Sequence, residues 1–458
     1  MSKKDLQGNV REAALDILLK IEKNQAYSNL LLNDTIKKMK VPARDIPLLT
    51  EIVYGTIQHQ KKLDFYLTTF SKKPLSKLED WVRILLRLST YQLFLLDRIP
   101  HHAAINEAVE IAKKRGHKGI SGMVNGILRS MLRNDLPDTS EIENDLERLS
   151  VETSHPKWLL NRWKDQYGMD QTEQIAFANI QEPVHSVRVN TTLVTKAEVK
   201  ESLVQEGLEV EDSPFVEESL RVKKGSIITT SAFQQGWISI QDEGSMLVTH
   251  VLDPRAEESV LDACAAPGGK STHIAERMDN DGKLISVDIH GHKVKLILEQ
   301  QERLKLSLIQ GEVSDARKLS EQYEPQSFDR ILVDAPCSGL GVIQRKPDLK
   351  WSKKETDIQR LSEIQIAILQ SVWPLLRKGG RLVYSTCTID QEENDRVITS
   401  FVDNHQDAAF DEGLKDLLPA VIADKSVKTP GMVQLFPGEY GTDGFFISAI
   451  KKQVDDKA

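Results

Sequence analysis

Cysteine is scarce in this chain of 458 residues, which contains Cys264, Cys337 and Cys387 and no other. The three lie far apart and are odd in number, so they do not form the pattern of a disulfide-stabilised secreted protein. Such sparing use of cysteine is typical of a reducing compartment, and we expect a cytoplasmic protein.

Long apolar runs are also missing. The richest stretch, residues 82–96, is interrupted by Arg83 and Arg87, which excludes a membrane-spanning helix there. The first nine residues, MSKKDLQGN, lack the apolar core of a signal peptide. We therefore expect no membrane segment.

The net charge of −8 hides an uneven distribution. Residues 1–134 contain 23 Lys and Arg against 13 Asp and Glu, whereas the remainder contains 37 against 55. A basic segment of this kind is typical of a nucleic-acid-binding surface, but a solvated helical surface has the same charge. Charge alone leaves both interpretations open.

The length predicts several domains. Apolar residues recur at helical spacing from Val10 to Ile21 and again in later segments, so residues 1–140 are predicted to form an all-helical domain. Residues 135–157 mix turn-forming and acidic residues and are predicted to be a joint that contains at most a short helix. A small α+β insert is predicted at residues 150–235.

Short apolar strands alternate with helices in the last predicted domain, residues 236–452. The predicted strands are residues 259–265, 283–289, 307–313, 328–335 and 379–386, with helices at 293–304 and 361–376. This alternation predicts an α/β Rossmann-like domain with a doubly wound parallel sheet, which binds ligands at the carboxyl ends of its strands. The tail is predicted to form two more strands.

The segment LDACAAPGGKST, residues 261–272, follows the first of these strands and opens a helix. Gly268 and Gly269 permit a close backbone approach, and the helix N-terminus behind them favours a negatively charged group. It is neither a phosphate-binding Walker loop nor a GxGxxG fingerprint. Taken by itself, the segment is also compatible with a tight strand-to-helix turn.

Acidic residues follow the next strands. Asp288 ends the second strand, where an acid binds ribose hydroxyls in doubly wound folds, and Asp315 follows the third, within reach of an adenine edge. A single acid at a strand end is usually a solvated cap. Several acids at successive strand ends, beside a Gly-Gly turn, indicate a cofactor that carries adenosine.

The cysteines also fall at predicted strand ends. Cys337 lies just after the strand that ends at Asp334, and Cys387 ends the next strand. Cysteine is commonly a small buried apolar residue. Two cysteines that flank a predicted ligand cleft favour a catalytic role instead. A thiolate that adds to carbon 6 of cytosine activates carbon 5 towards an electrophilic methyl group. An acid near N3, such as Asp334, would assist, and the base must leave its stack.

Six motifs resemble those of the RNA cytosine-5 methyltransferases: DACAAPGGK, VDIH, DAPCSGLG, RKPDLKW, YSTCT and GFFISAI. The resemblance covers essentially the whole chain and points to the bacterial members that modify 16S ribosomal RNA. The N-terminal domain resembles the antitermination factor NusB, a helical RNA-binding fold. The resemblance implies S-adenosylmethionine as the methyl donor.

The family pattern also implies the role of each site residue. Cys387 would be the nucleophile, Cys337 would assist product release, and Asp334 would polarise the base. The implied cofactor-binding residues are Cys264, Ala265, Ala266, Pro267, Gly268, Gly269, Lys270, Asp288, Asp315 and Asp334. The usual Thr-Cys-Ser is Thr386-Cys387-Thr388 here, which keeps a hydroxyl. Lys270 either bridges cofactor and base or is a helix-start charge.

The expected partner is 16S ribosomal RNA or an assembly intermediate of the small subunit. We expect a monomer without a metal ion. Arg345 and Lys346 either contact the RNA backbone or form a solvated basic loop, and Trp351 is predicted to pack in a core.

Two other interpretations compete with this one. One places the nucleophile at Cys337, as in DNA cytosine-5 methyltransferases. The other is a NusB-like RNA-binding or assembly factor with an inactive methyltransferase fold. An adenine amino-methyltransferase is disfavoured because no Asn-Pro-Pro-Tyr-type motif stands at residues 334–337.

Overall fold

The computed structural model describes residues 10–24, 28–39, 41–97 and 99–454. The interpretation of residues 1–9 as lacking a signal peptide lies outside this part of the chain. The described residues fall into two compact units. One contains the residues up to Gln181 together with Ile343–Ser352, and the other contains Glu182–Val342 together with the chain from Lys353 onward. The three predicted domain boundaries stay a prediction.

The first unit contains helices and no strand among its described residues, as predicted for residues 1–140. It also contains two helices, Lys157–Tyr167 and Met169–Ala178, that lie within the predicted α+β insert. Its α-helices are α1 Val10–Asn24, α2 Ser28–Met39, α3 Ile46–Gln58, α4 Gln60–Phe70, α5 Asp80–Phe94, α6 His101–Arg115, α7 Lys118–Arg133, α8 Asp145–Glu152, α9 Lys157–Tyr167 and α10 Met169–Ala178. Short 3₁₀ turns lie at Ala43–Asp45, Leu75–Lys77 and Thr139–Glu141. The apolar stripes of α1 to α7 form one buried core.

The predicted joint contains α8, a helix of two turns. The Asn144 side chain caps it by accepting a hydrogen bond from the backbone N–H of Glu147 at 2.8 Å. The sequence pattern therefore located this short helix correctly within a polar segment.

Residues 343–352 belong to the helical unit although they interrupt the second unit in sequence. Trp351 packs against the helical core, as predicted, and its indole N–H donates to the Ile57 carbonyl at 3.0 Å. Lys350 is fully buried and donates to the Gln58 carbonyl at 2.8 Å. Burial lowers the pKa of Lys350 well below its usual value.

The second unit contains a small antiparallel sheet and a large mixed one. The small sheet has β1 His185–Val189, β2 Glu209–Asp212, β3 Ser219–Lys224 and β4 Ile238–Ile240, in the order β2-β3-β1-β4, with α11 Lys196–Gln205 and α12 Ser231–Gln234. This is the predicted α+β insert. Its core consists of the apolar face of the sheet and the buried side of α11.

The strands of the large sheet are β5 Ser259–Asp262, β6 Lys283–Asp288, β7 Ile309–Val313, β8 Phe328–Asp334, β9 Leu376–Thr386, β10 Ala408–Phe410, β11 Val427–Thr429, β12 Met432–Leu435 and β13 Phe445–Lys452. The helices around them are α13 Glu243–Leu252, α14 Gly269–Arg277, α15 Gly291–Arg303, α17 Glu355–Val372, α18 Asp395–Asp403 and α19 Ala420–Lys425; α16 Leu349–Ser352 lies in the segment that joins the helical unit. Further 3₁₀ turns lie at Ile227–Thr229, Ala316–Glu321, Trp373–Leu375, Glu412–Leu417 and Glu439–Gly441.

The strand order is β11-β12-β13-β9-β8-β5-β6-β7, with β10 paired to β13. Strands β5 to β9 are parallel, as predicted, but the tail strands β11 to β13 run antiparallel, so the sheet is mixed. The short turn between β12 and β13 allows an antiparallel pair, whereas a parallel pair needs a long crossover. Two apolar cores flank the sheet, and the carboxyl ends of β5, β6, β8 and β9 meet at one edge.

No helix among the described residues combines the length and apolar character needed to cross a membrane.

A buried ion pair joins β1 to α14. Arg188, which is fully buried, donates from Nε and Nη2 to the two carboxylate oxygens of Glu276, each at 2.7 Å. Its Nη1 donates to the Gly269 carbonyl at 2.9 Å. These contacts connect the small sheet to both ends of α14, which begins at the second glycine of the Gly-Gly segment.

Replacing Arg188 by alanine should destabilise the protein strongly, because the Glu276 carboxylate would stay buried without its partner. The expected loss of unfolding free energy is about 3–5 kcal/mol. Burial raises the pKa of Glu276 and the Arg188 charge opposes that rise. The variant's Glu276 therefore protonates more readily, and the loss should be smaller in mildly acidic than in alkaline buffer. Denaturant unfolding followed by circular dichroism measures both effects.

Lys196→Ala is the matched control. Lys196 pairs with Asp212 at 3.6 Å on the surface, and the two side chains are 31% and 50% exposed. Its loss should stay below about 1 kcal/mol. Equal losses for the two variants would contradict the role given to Arg188.

Candidate functional site

The Gly-Gly turn connects β5 to α14. Gly268 has a φ of +105°, and a Cβ added there would lie 3.0 Å from the Ile297 Cα, so this position requires glycine. A Cβ at Gly269 would meet nothing within 4 Å. The turn therefore faces open space at the N-terminus of α14, where a ligand can approach the backbone.

The rest of the predicted motif shapes this turn. Ala265 donates its backbone N–H to the Val287 carbonyl at 2.8 Å, and Gly268 donates to the Ala265 carbonyl at 2.8 Å. The peptide bond between Ala266 and Pro267 is cis. These contacts place the turn directly beside β6.

Asp262, the last residue of β5, is a site residue that the sequence interpretation did not select. It is fully buried, and its Oδ2 accepts from the Ser271 hydroxyl at 2.7 Å. Its Oδ1 has no hydrogen-bond partner within the described part of the chain. Burial raises the pKa of Asp262 to about 7, and the Asp334 charge adds to the rise. Its position immediately before the turn was the available sequence signal.

The acids predicted at the strand ends all affect the Cys264 thiol. Burial raises the pKa of this thiol well above its usual value, and four carboxylates raise it further. They belong to Asp262, Asp334, Asp288 and Asp315. All four strand-end acids therefore lie near enough to Cys264 to affect its pKa, and this thiol stays protonated.

Asp288 and Asp315 both have local partners. Asp288 Oδ1 accepts from the His290 backbone N–H at 2.9 Å. Asp315 accepts from Arg317 Nη2 at 2.6 Å and from its backbone N–H at 3.0 Å. Hydrogen bonds from Arg317 lower the pKa of Asp315. Both carboxylates are thus oriented at the sheet edge by the residues that follow them.

An ion pair connects α14 to the end of β8. Lys270 Nζ lies 2.8 Å from Asp334 Oδ2, and Asp334 Oδ1 accepts from the Ser385 hydroxyl at 2.8 Å. Burial lowers the pKa of Lys270, but the charges of Asp334 and Cys387 outweigh burial, so its pKa is raised. Lys270 is therefore a buried cation close to both groups rather than a solvated helix-start charge.

The two predicted catalytic cysteines are in contact. The sulfurs of Cys337 and Cys387 are 3.4 Å apart, and both side chains are partly buried. The hydrogen bond to Cys387 raises the pKa of Cys337 well above its usual value, and burial adds to this effect. Cys337 is therefore favoured as a neutral thiol, and a hydrogen bond joins the two sulfurs. The interaction with Cys387 also helps to raise the pKa of Lys270.

One other group has metal-ligand spacing. Among the described residues, Glu218, His250 and His273 offer ligand atoms within 4.8 Å of one another. The two Nε2 atoms lie 2.6 and 3.0 Å from Glu218 Oε1, which are hydrogen-bond distances. Burial lowers the pKa of His273 to about 3, so this imidazole is neutral. These hydrogen bonds connect the residue before β3 to helices α13 and α14, while His273 Nδ1 has no hydrogen-bond partner among the described residues.

Arg345 and Lys346, predicted to lie near RNA, belong to the helical unit. Lys346 is exposed, while Arg345 is partly buried. His101 and His102 are both exposed at the start of α6.

Family models match three parts of the chain. Residues 249–451 match the model of the 16S rRNA methyltransferase RsmB/F, and residues 8–133 match the NusB family. Residues 155–229 match the ferredoxin-like domain of RsmF/B-like methyltransferases. The three regions agree with the helical, α+β and α/β parts of the predicted fold.

Similar proteins extend over the full chain. One is the "Probable ribosomal RNA small subunit methyltransferase B" of Bacillus subtilis (strain 168), which is 51% identical over 97% of this chain and 99% of its own. The "Ribosomal RNA small subunit methyltransferase B" of Vibrio cholerae is 34% identical over 97% and 98% of the two chains.

Solved structures agree with this similarity. The crystal structure of the protein PH0851 has a TM-score of 0.81 and 30% identity, and covers 99% of both chains. A methyltransferase homologue from Pyrococcus horikoshii has a TM-score of 0.57 and 28% identity, over 68% of this chain and all of its own. The chain therefore belongs to the 16S rRNA methyltransferase RsmB/F family.

Proposed function

We propose that this protein transfers a methyl group from S-adenosylmethionine to carbon 5 of a cytosine in 16S ribosomal RNA, through a covalent bond between Cys387 and the base. The observation that carries this proposal is the contact between the Cys337 and Cys387 sulfurs, at 3.4 Å, beside the Lys270–Asp334 ion pair. Two thiols in unequal electrostatic surroundings suit a reaction in which one forms an adduct and the other resolves it.

The residues at the Gly-Gly turn fit the proposed cofactor. Residues 264–270 leave open space at the turn, and Asp262 has a buried oxygen without a partner. Asp288 and Asp315, at the ends of neighbouring strands, are proposed to bind the ribose and adenine groups. When bound, S-adenosylmethionine supplies an electrophilic methyl group next to the cysteines.

Cys387 adds to carbon 6 of the cytosine and forms a carbon–sulfur bond. Electron density moves to carbon 5, and N3 gains a proton. Asp334 is held by Lys270, so the proton for N3 comes from this pair rather than from an isolated carboxyl group. The positive charge of Lys270 also stabilises the Cys387 thiolate before the attack.

Product release requires that a base, here a water molecule, takes the carbon 5 proton. The bond between Cys387 and carbon 6 then breaks, and N3 returns its proton to the Lys270–Asp334 pair. Cys337 is a thiol in contact with the leaving sulfur. It can therefore donate its proton to Cys387 as that bond breaks. This division of labour favours Cys387 over Cys337 as the nucleophile.

The helical unit would help to select the RNA. Its match to the NusB family and the positive charge of residues 1–134 support contact with phosphate groups. Lys346 is exposed and is proposed to meet the RNA backbone together with Arg345. The enzyme is proposed to act as a monomer without a metal ion, on 16S RNA or an assembly intermediate of the small subunit.

Cys387→Ala should abolish both methyl transfer and adduct formation, because it removes the attacking sulfur. Cys337→Ala should form the adduct but release it slowly, so that the adduct accumulates. Purified variants would be mixed with 16S RNA or subunit particles and radiolabelled S-adenosylmethionine. Methyl transfer and denaturant-resistant protein–RNA complexes would be read together.

The opposite pattern, with adduct retained by Cys387→Ala and lost in Cys337→Ala, would place the nucleophile at Cys337. A wild-type protein that binds RNA but yields neither signal on any of these substrates would favour the inactive assembly factor instead.

Asp288→Ala should weaken cofactor binding, because a carboxylate that accepts hydrogen bonds is worth about 1.5–3 kcal/mol. The dissociation constant for S-adenosylhomocysteine should therefore rise by roughly 10- to 150-fold. Isothermal titration calorimetry measures it, with circular dichroism as the check on folding. Asp281→Ala is the control, since Asp281 is exposed before β6. Equal affinities for the two variants would remove Asp288 from the cofactor site.

A further inference from the structure

A buried carboxylate lies behind both cysteine turns. Glu393 follows Cys387 in the segment between β9 and α18 and is fully buried. Its Oε1 accepts from the Ser338 backbone N–H at 2.8 Å and from Gln365 Nε2 at 3.1 Å. Its Oε2 accepts from the Ser338 hydroxyl. The negative charge of Glu393 is thus met by neutral donors inside the protein.

These hydrogen bonds connect the two cysteine turns. Ser338 directly follows Cys337, and Thr388 directly follows Cys387. The hydroxyl oxygens of Ser338 and Thr388 are 2.9 Å apart, and both side chains are buried. Glu393, Ser338 and Thr388 therefore form a continuous chain of hydrogen bonds, which we name the Glu393 clamp.

Two further contacts fix the ends of the clamp. Gln365, on α17, donates from Nε2 to the Pro336 carbonyl at 3.0 Å as well as to Glu393. The Tyr384 hydroxyl, on β9, donates to the backbone carbonyl of Glu393 at 2.6 Å. The clamp is therefore held by a helix on one side of the sheet and by the sheet itself.

Glu393 also affects the pKa of the Cys337 thiol. Burial raises the pKa of Glu393 to about 7, against the lowering effect of the Ser338 hydrogen bonds. The charge of Glu393 contributes to the raised pKa of Cys337, after the hydrogen bond to Cys387 and burial.

We propose that Glu393 is a positioning residue, which holds the Cys337 and Cys387 sulfurs at contact distance through Ser338 and Thr388. This rests on the proposed function. The step that depends most on the clamp follows adduct formation, because Cys337 must then reach the Cys387 sulfur to release the product. A loosened clamp leaves the adduct able to form but slow to resolve.

Glu393→Gln keeps the size of the side chain and removes its charge, and Thr388→Val keeps the shape of threonine and removes its hydroxyl. Both should lower kcat by roughly 10- to 100-fold, since misplacement of a reacting group by about 1 Å has an effect of this size. KM for S-adenosylmethionine should change little, and the trapped adduct fraction should rise. Thr388→Ser should recover activity because it restores the hydroxyl.

Glu392→Gln is the neighbouring control. Glu392 pairs with Arg396 on the surface of the protein, and its loss should leave kcat unchanged. Folded variants that keep wild-type kcat and adduct levels would show that Glu393 is structural only, and would overturn the proposal.

A second measurement does not depend on activity. Phenylarsine oxide bridges two neighbouring thiols by forming two arsenic–sulfur bonds and releasing water. The wild-type protein and Glu392→Gln should be bridged between Cys337 and Cys387, as seen by intact mass and peptide mapping. Glu393→Gln and Thr388→Val should be bridged more slowly.

The two measurements separate the two claims. Equal bridging rates in all variants, or no bridging in the wild type, would overturn the clamp. A wild type that is bridged as expected but neither transfers methyl groups nor forms adducts would overturn the proposed function and leave the clamp standing.

Discussion

The ion pair between Lys270 and Asp334 is the contact on which the site depends. It joins the first turn of α14, which follows the Gly-Gly turn, to the end of β8, which precedes Cys337. The cofactor turn and the cysteine turns are therefore held together by one charged contact of 2.8 Å. Its cation also lies close to Cys387, so the same contact orders the two thiols electrostatically.

In the proposed mechanism, this order of charges gives the two sulfurs different roles. The Lys270 cation interacts with Cys387, whereas the charges of Glu393 and Asp334 act on Cys337. An ionised sulfur can attack, and a neutral thiol can supply a proton to a leaving group. Burial strengthens both effects because the local dielectric constant is low. The geometry thus supports one nucleophile rather than two equivalent ones.

Sequence periodicity was sufficient to predict the fold class, and the strand-end residues define the candidate site. The parallel strands β5 to β9 read as apolar runs, and parallel topology then brings their carboxyl ends together. Local pattern could not predict the direction of the tail strands or the membership of residues 343–352 in the helical unit, since both depend on contacts between distant segments.

The same limit applies to individual side chains. Asp262 and Glu393 look in sequence like ordinary acids beside a turn, and only their burial distinguishes them. Glu393 lies in QEEN, where the sequence does not show which acid is buried. Cys387, by contrast, stands where an apolar strand ends, and that boundary was visible in the sequence.

The two cysteines are proposed to differ in their electrostatic surroundings. The most direct test of this difference is the rate at which each cysteine reacts with iodoacetamide in the wild-type protein. The peptides that contain Cys337 and Cys387 would be quantified by mass spectrometry over time. We expect Cys387 to be alkylated faster, because it is the proposed nucleophile and interacts with the Lys270 cation. Alkylation of Cys337 at an equal or higher rate would contradict the assignment of Cys387 as the nucleophile.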